Sequence, residues 1–223
     1  MLGAAGVKSL TGGERMQLNR EAGAPAGEAL DSPEALARRE ALALPGELAR
    51  GMFFQATLEA VRALGDEEAV RRCLEASGEE RFVDFFNYPV ATHLRVLFTA
   101  AQQLQGRCGS LEEALRQLGL RAGVHFMRCV AGMALLLVSR WEPRRLVDGL
   151  PSVYRAAVSY GKRSVMWTGP ASGRLLMQRE FMPYPFQEGV LAGVLEGGKA
   201  RGVQVRGRQL STLDSEYDVS WRE

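Results

Sequence analysis

The chain has 223 residues, 46% of them hydrophobic, and carries 28 basic and 26 acidic side chains for a formal charge of +2. That length and apolar content suffice for one full core in a single domain. The near balance of charge excludes a dedicated polyanion-binding protein, so no nucleic-acid partner is expected.

Met1 to about Asp31 is dominated by Gly, Ala, Pro and charged residues and contains no aromatic side chain. Burial there cannot offset the entropy of ordering the backbone, so residues 1–31 read as a disordered tail ahead of one domain over 32–223. The opening residues show no compact apolar stretch behind a basic leader. The longest apolar run, Val130 to Val138, is too short to span a bilayer, so neither secretion nor membrane insertion is expected.

At Ser32 and Pro33 a capping hydroxyl and a first-turn proline start a short helix with little expected packing role. Leu48, Phe53, Phe54, Leu58, Val61 and Leu64 then recur at three- and four-residue spacing, predicting an amphipathic core helix stopped by Gly65. Asp66 caps another short helix that carries Val70, Cys73 and Leu74 and ends near Gly78. Phe82, Phe85, Phe86 and Tyr88 crowd the stretch before Pro89, an aromatic plug or an interaction surface, and Val90 to Leu104 again has helical spacing.

Ser110 and Glu113 form a capping-box pattern opening a helix expected to bend around Gly119 to Gly123. Val124 to Val138 is apolar on every side and reads as the central buried helix. Beyond Pro143 and Pro151 the segment carrying Leu146, Val147, Leu150, Tyr154 and Val158 runs to Gly161. Turn formers from Gly169 to Gly173 then separate two β-compatible runs, Lys162 to Thr168 and Arg174 to Phe181. A helix with Phe186, Val190, Leu191, Val194 and Leu195 follows. Val203 and Val205, and later Tyr217, Val219 and Trp221, alternate with polar residues as two more strands. The predicted fold is α+β, with N-terminal helices packed on a C-terminal four-stranded antiparallel sheet in β-β-α-β-β order.

Gly51-Met52-Phe53-Phe54, Arg81 through Pro89, Ser159-Tyr160-Gly161 with Trp167-Thr168-Gly169-Pro170, and Asp214-Ser215-Glu216-Tyr217 resemble a family of uncharacterised paralogous proteins from myxobacteria. That family is in turn distantly similar to a superfamily of four-vinyl-reductase domains, small TRAPP tethering subunits and heme-nitric-oxide-binding domains. The resemblance implies helices over a β-β-α-β-β sheet, and a role in holding small or greasy ligands or in dimerising, with catalysis rare.

His125 and Cys129 are four apart on the expected central helix, where an imidazole beside a thiolate suits a metal or heme iron. Two histidines in the whole chain are too few for a metal cage, and no metal or cofactor is expected. Phe126, Met133 and Leu136 supply soft walls on the same segment. The ligand-binding candidates are therefore His125, Phe126, Cys129, Met133 and Trp167, and the interaction candidates are Phe82, Phe85, Phe86 and Tyr88. Resemblance to the tethering subunits adds an acyl channel or acylation at Cys129.

Nucleophilic catalysis by Cys129 needs an electropositive, exposed setting, which an apolar helix does not provide. No catalytic residue is assigned. Cys73, Cys108 and Cys129 lack disulfide or zinc spacing and read as reduced thiols in a cytoplasmic protein. Arg163, Arg174, Arg179, Arg206 and Arg208 lie on or beside strands, where Glu180, Asp214, Glu216 and Asp218 can offset them. The expected function is a non-enzymatic sensor or adaptor, homodimeric, holding a small apolar ligand between central helix and sheet. The alternative is a protein-interaction scaffold without a ligand, and behind both stands a heme or metal sensor or enzyme using His125 and Cys129.

Overall fold

The computed structural model describes Leu30 and residues 33–222. The expected tail lies outside the described residues except for Leu30, which is buried against the core. Helix α1 (Pro33–Ala41) follows, and it packs firmly: Ala35 and Arg39 are buried, and Arg39 Nη1 donates to the carbonyl of Phe181 at 3.0 Å.

Leu48 does not begin the second helix. Leu48–Arg50 is a short strand, β1, paired antiparallel with β2 (Asn87–Pro89), Ala49 opposite Tyr88. Helix α2 (Gly51–Leu64) starts at once after β1. Gly51 permits that junction, since a Cβ there would stand 2.0 Å from the carbonyl oxygen of Val83. Asp66 caps α3 (Glu67–Ser77) by accepting from the Ala69 amide at 2.9 Å, and Gly78 ends it at φ +75°, the left-handed conformation that glycine adopts at no steric cost. Long helix α4 (Val90–Cys108) follows. The aromatic stretch divides: Phe82 stacks on Phe54 at 4.3 Å and Tyr88 half-buries against both. Phe85, by contrast, is 70% exposed, with Phe86 exposed beside it.

Ser110 caps α5 (Leu111–Phe126) through the Glu113 amide at 3.1 Å, while the Glu113 carboxylate turns to Arg116 and Gln117 instead of closing the box. The expected bend at Gly119 to Gly123 is absent. These glycines lie mid-helix in a seam with Gly189 and Gly193 of α8 (Tyr184–Gly197). A Cβ on Gly119 would come 2.0 Å from Phe186 O, and one on Gly189 2.0 Å from Arg116 O. The glycines serve close backbone approach, not helix breaking.

The central-helix expectation also needs correction. Val124 to Val138 is two pieces: α5 ends at Phe126, and α6 (Val130–Ser139) leaves at 74°. Gly132 makes the corner, because a Cβ there would strike Phe126 O at 2.1 Å. α6 is peripheral. It buries Gly132, Leu135, Leu136 and Ser139 against α7 (Pro143–Ala157), where Leu135 fills the notch at Gly149.

Strands β3 (Lys162–Gly169), β4 (Ser172–Gln178), β5 (Arg201–Gln209) and β6 (Ser215–Arg222) form one antiparallel sheet in the order β3-β4-β6-β5. Leu175, Met177, Tyr217 and Val219 form its dry face, under α7 and α8. The arginines across the strands meet acids: Arg174 pairs with Asp218 at 2.7 Å and Arg208 with Glu216. The core has a helical half and a sheet half, and Phe53, Val158, Tyr184 and Val190 pack against both.

Candidate functional site

Where the two halves of the core meet lies a cavity of about 50 Å³. Its walls come from separate elements: Phe53 from α2, His93 from α4, Phe126 from α5, Tyr154 from α7, and Phe186 and Gln187 from α8. Phe53 lies between Phe126 and Tyr154, with ring centroids 6.4 and 6.0 Å away. Tyr154 donates its hydroxyl proton to Gln187 Oε1 at 2.9 Å, which satisfies a buried polar pair in otherwise apolar walls.

His93 is fully enclosed, and burial depresses its pKa to about 4, so the ring is neutral near pH 7. Its protonated nitrogen follows from its neighbour. Thr57 has one hydroxyl proton and donates it to Phe53 O at 3.0 Å, one turn back. The contact of 3.1 Å between Thr57 Oγ1 and His93 Nε2 therefore runs from Nε2–H to Oγ1. Nδ1 is then the acceptor nitrogen of the ring.

Beside the cavity opens a surface cleft of about 640 Å³ lined by Arg155, Lys162, Arg163 and Ser164. Val158 and Tyr160 line both spaces and form the partition between them. Behind Tyr160, Arg163 and Glu180 make a buried ion pair, their side chains only 4% and 1% exposed. Arg163 Nη1 donates to Tyr160 O at 2.9 Å, and its guanidinium lies 4.4 Å over the Tyr154 ring. Glu180 accepts from the Met182 amide at 3.0 Å. The pair and its hydrogen bonds hold the partition in place.

Of the residues proposed from sequence, only Phe126 lines the cavity. His125 is half-buried at the end of α5, while Cys129 is the residue before α6. The corner at 127–129 separates them, so they do not share one helical face. Met133 lies on the outward side of α6. Trp167 sits on β3, donating Nε1–H to Asp148 at 3.0 Å beneath Arg144. Sequence reasoning missed His93, Gln187, Tyr154 and Tyr160. The available signal was polarity within apolar periodicity: His93 stands beside Leu94 and Gln187 beside Phe186 on faces that otherwise bury hydrocarbon.

Comparison with solved structures shows the fold. An unliganded Fe(II) H-NOX protein from K. algicida aligns with 78% of this chain and 97% of its own at a TM-score of 0.58 and 14% identity. An H-NOX protein from S. oneidensis in the Fe(II)NO ligation state aligns with 78% and 99% at a TM-score of 0.60 and 13% identity. An oxygen-binding H-NOX domain related to soluble guanylate cyclases, solved as its oxygen complex, aligns with 78% and 95% at 0.58 and 12%. None of the curated proteins compared with the chain matches it. A family model covers residues 42–222, and the chain belongs to the family described as "Protein of unknown function (DUF2378)".

Proposed function

We propose that this chain is a non-enzymatic sensor module that holds a small ligand in the cavity enclosed by helices α2, α4, α5, α7 and α8. The observation that carries the reading is an apolar cavity closed by side chains of five helices, with the neutral His93 ring and the Tyr154–Gln187 pair as the polar part of its lining. The ligand class is a small molecule with an apolar body and one polar group, entering past Val158 and Tyr160. The H-NOX-like fold supports a sensing role by analogy of architecture. A non-enzymatic reading is supported by Cys73, whose thiol burial pushes up to about 12, and by Thr57, whose proton is committed to Phe53 O.

The heme of the structural neighbours does not fit here. An apolar cavity that admits one benzene ring measures about 150 Å³, three times this one, and a porphyrin is far larger. Among the described residues no group of three His, Cys, Asp or Glu side chains could hold a metal ion.

The test has two parts. Denaturing mass spectrometry of protein purified from its native host should reveal an extracted small molecule. Titration with 1-propanol should raise the melting temperature saturably, and His93→Phe should abolish that response while the protein stays folded. An empty extract with no saturable response, or a response indifferent to His93→Phe, overturns the reading.

A further inference from the structure

Helix α6 is apolar on both sides, yet only one side is covered. Val130, Met133, Ala134, Leu137 and Val138 follow i, i+3, i+4, i+7 and i+8 spacing and face outward, and Trp141, two residues past the helix end, is exposed as well. Val130 and Val138 are each 80% exposed and Leu137 69%. A continuous apolar ridge of this kind marks a contact surface.

Its surroundings identify the partner. From Val124 to Trp141 the sequence has no carboxylate. Exposed Arg128 and Arg140 bracket the helix, and Lys199 places its ammonium 4.4 Å over the Trp141 ring. None of these three cations forms an ion pair among the described residues. An apolar ridge with a tryptophan at its edge and cations at both ends matches an anionic lipid interface. There the hydrocarbon side chains enter the acyl boundary, while Arg and Lys reach phosphate headgroups.

We propose that α6 is the ridge by which the protein lies on an anionic membrane surface. The contact is peripheral: among the described residues no single helix is long and apolar enough to cross a membrane, and the adjoining α5 buries its apolar side chains in the core. A second copy is the poorer occupant. Pairing two ridges would bring Arg128 and Arg140 against each other in either orientation, and like charges oppose association. Six side chains also fall well short of the roughly 20–30 residues that a stable interface takes from each partner.

The experiment is co-sedimentation of the full chain with lipid vesicles. The chain should pellet with mixed phosphatidylcholine and phosphatidylglycerol vesicles, remain free with phosphatidylcholine alone, and be released by salt. Leu137→Glu should weaken binding by roughly tenfold or more, and so should Arg128→Gln combined with Arg140→Asn, which keeps a residue tolerant of the left-handed conformation at the helix end. Melting temperatures should not move, because these side chains face solvent. No binding to the mixed vesicles, or binding that survives Leu137→Glu, overturns the proposal. A concentration-dependent dimer in sedimentation equilibrium that Leu137→Glu splits, with no vesicle binding, assigns the ridge to a second copy instead.

Discussion

His93 shows how much of a residue's chemistry is set by neighbours distant in sequence. The Thr57 hydroxyl fixes its tautomer, and burial lowers its pKa from 6.5 to about 4. In that window the unfolded chain binds more protons than the folded one, so stability rises with pH between those values. Nothing is lost above 6.5, and the loss is complete below about 4. Acidifying through this window should therefore cost His93 at most about 1.4 kcal/mol per pH unit. Urea denaturation at a series of pH values should show this slope in the wild-type chain and a flatter one in His93→Gln, the difference removing the shared carboxylate titration. An identical slope in both proteins would show that the imidazole is not enclosed. Little of this was legible in sequence, because a lone histidine at a core-like position gives no sign of which hydroxyl it will meet. Asp66 and Ser110 were legible, since capping is a contact with an amide three residues away.

At the scale of elements, glycine gave the most misleading signal. Gly119 and Gly123 looked like a break because glycine lowers helix propensity by about 1 kcal/mol. The seam with Gly189 and Gly193 shows the other reason for glycine, a backbone approach that no side chain permits. Gly123→Val should accordingly destabilise the protein by about 3 kcal/mol or more through overpacking against backbone. Gly106, in α4 with open space around it, is the counterpart: Gly106→Ala should stabilise by about 0.5–1 kcal/mol. Chemical denaturation of both variants checks the pair, and equal effects would mean that the seam is not close-packed. The all-apolar pattern of Val124 to Val138 was read as central burial. Periodicity reports that a face is dry or wet only when one face is polar, so a helix with two apolar sides leaves its position undetermined. The two hairpins were legible because alternation over β3 to β6 is local.

For the whole molecule, the order of helices and strands followed from pattern, whereas the cavity did not. It is a space left between segments that are far apart in the chain, and no local signal encodes an absence of atoms. The core's two halves share Phe53, Val158, Tyr184 and Val190, so they should unfold together. Far-ultraviolet dichroism, which reports mainly the helices, and fluorescence of Trp167 and Trp221 on the sheet, read in a Trp141→Phe variant, should trace coincident transitions. Two separated transitions would show that the shared side chains do not couple the halves.

The interlocked glycines of α5 and α8 have a mechanical consequence. Each helix seats a carbonyl of the other in its notches, Phe186 O at Gly119 and Arg116 O at Gly189, so the two can neither roll nor slide past one another without backbone collision. Whatever enlarges the chamber beside them must therefore be accommodated on the opposite wall, where α7 contributes Leu150, Val153 and Tyr154. On its far side that wall meets α6, whose Leu135 fills the notch at Gly149. The α5–α8 seam is thus the fixed wall of the chamber and α7 the wall with room to yield.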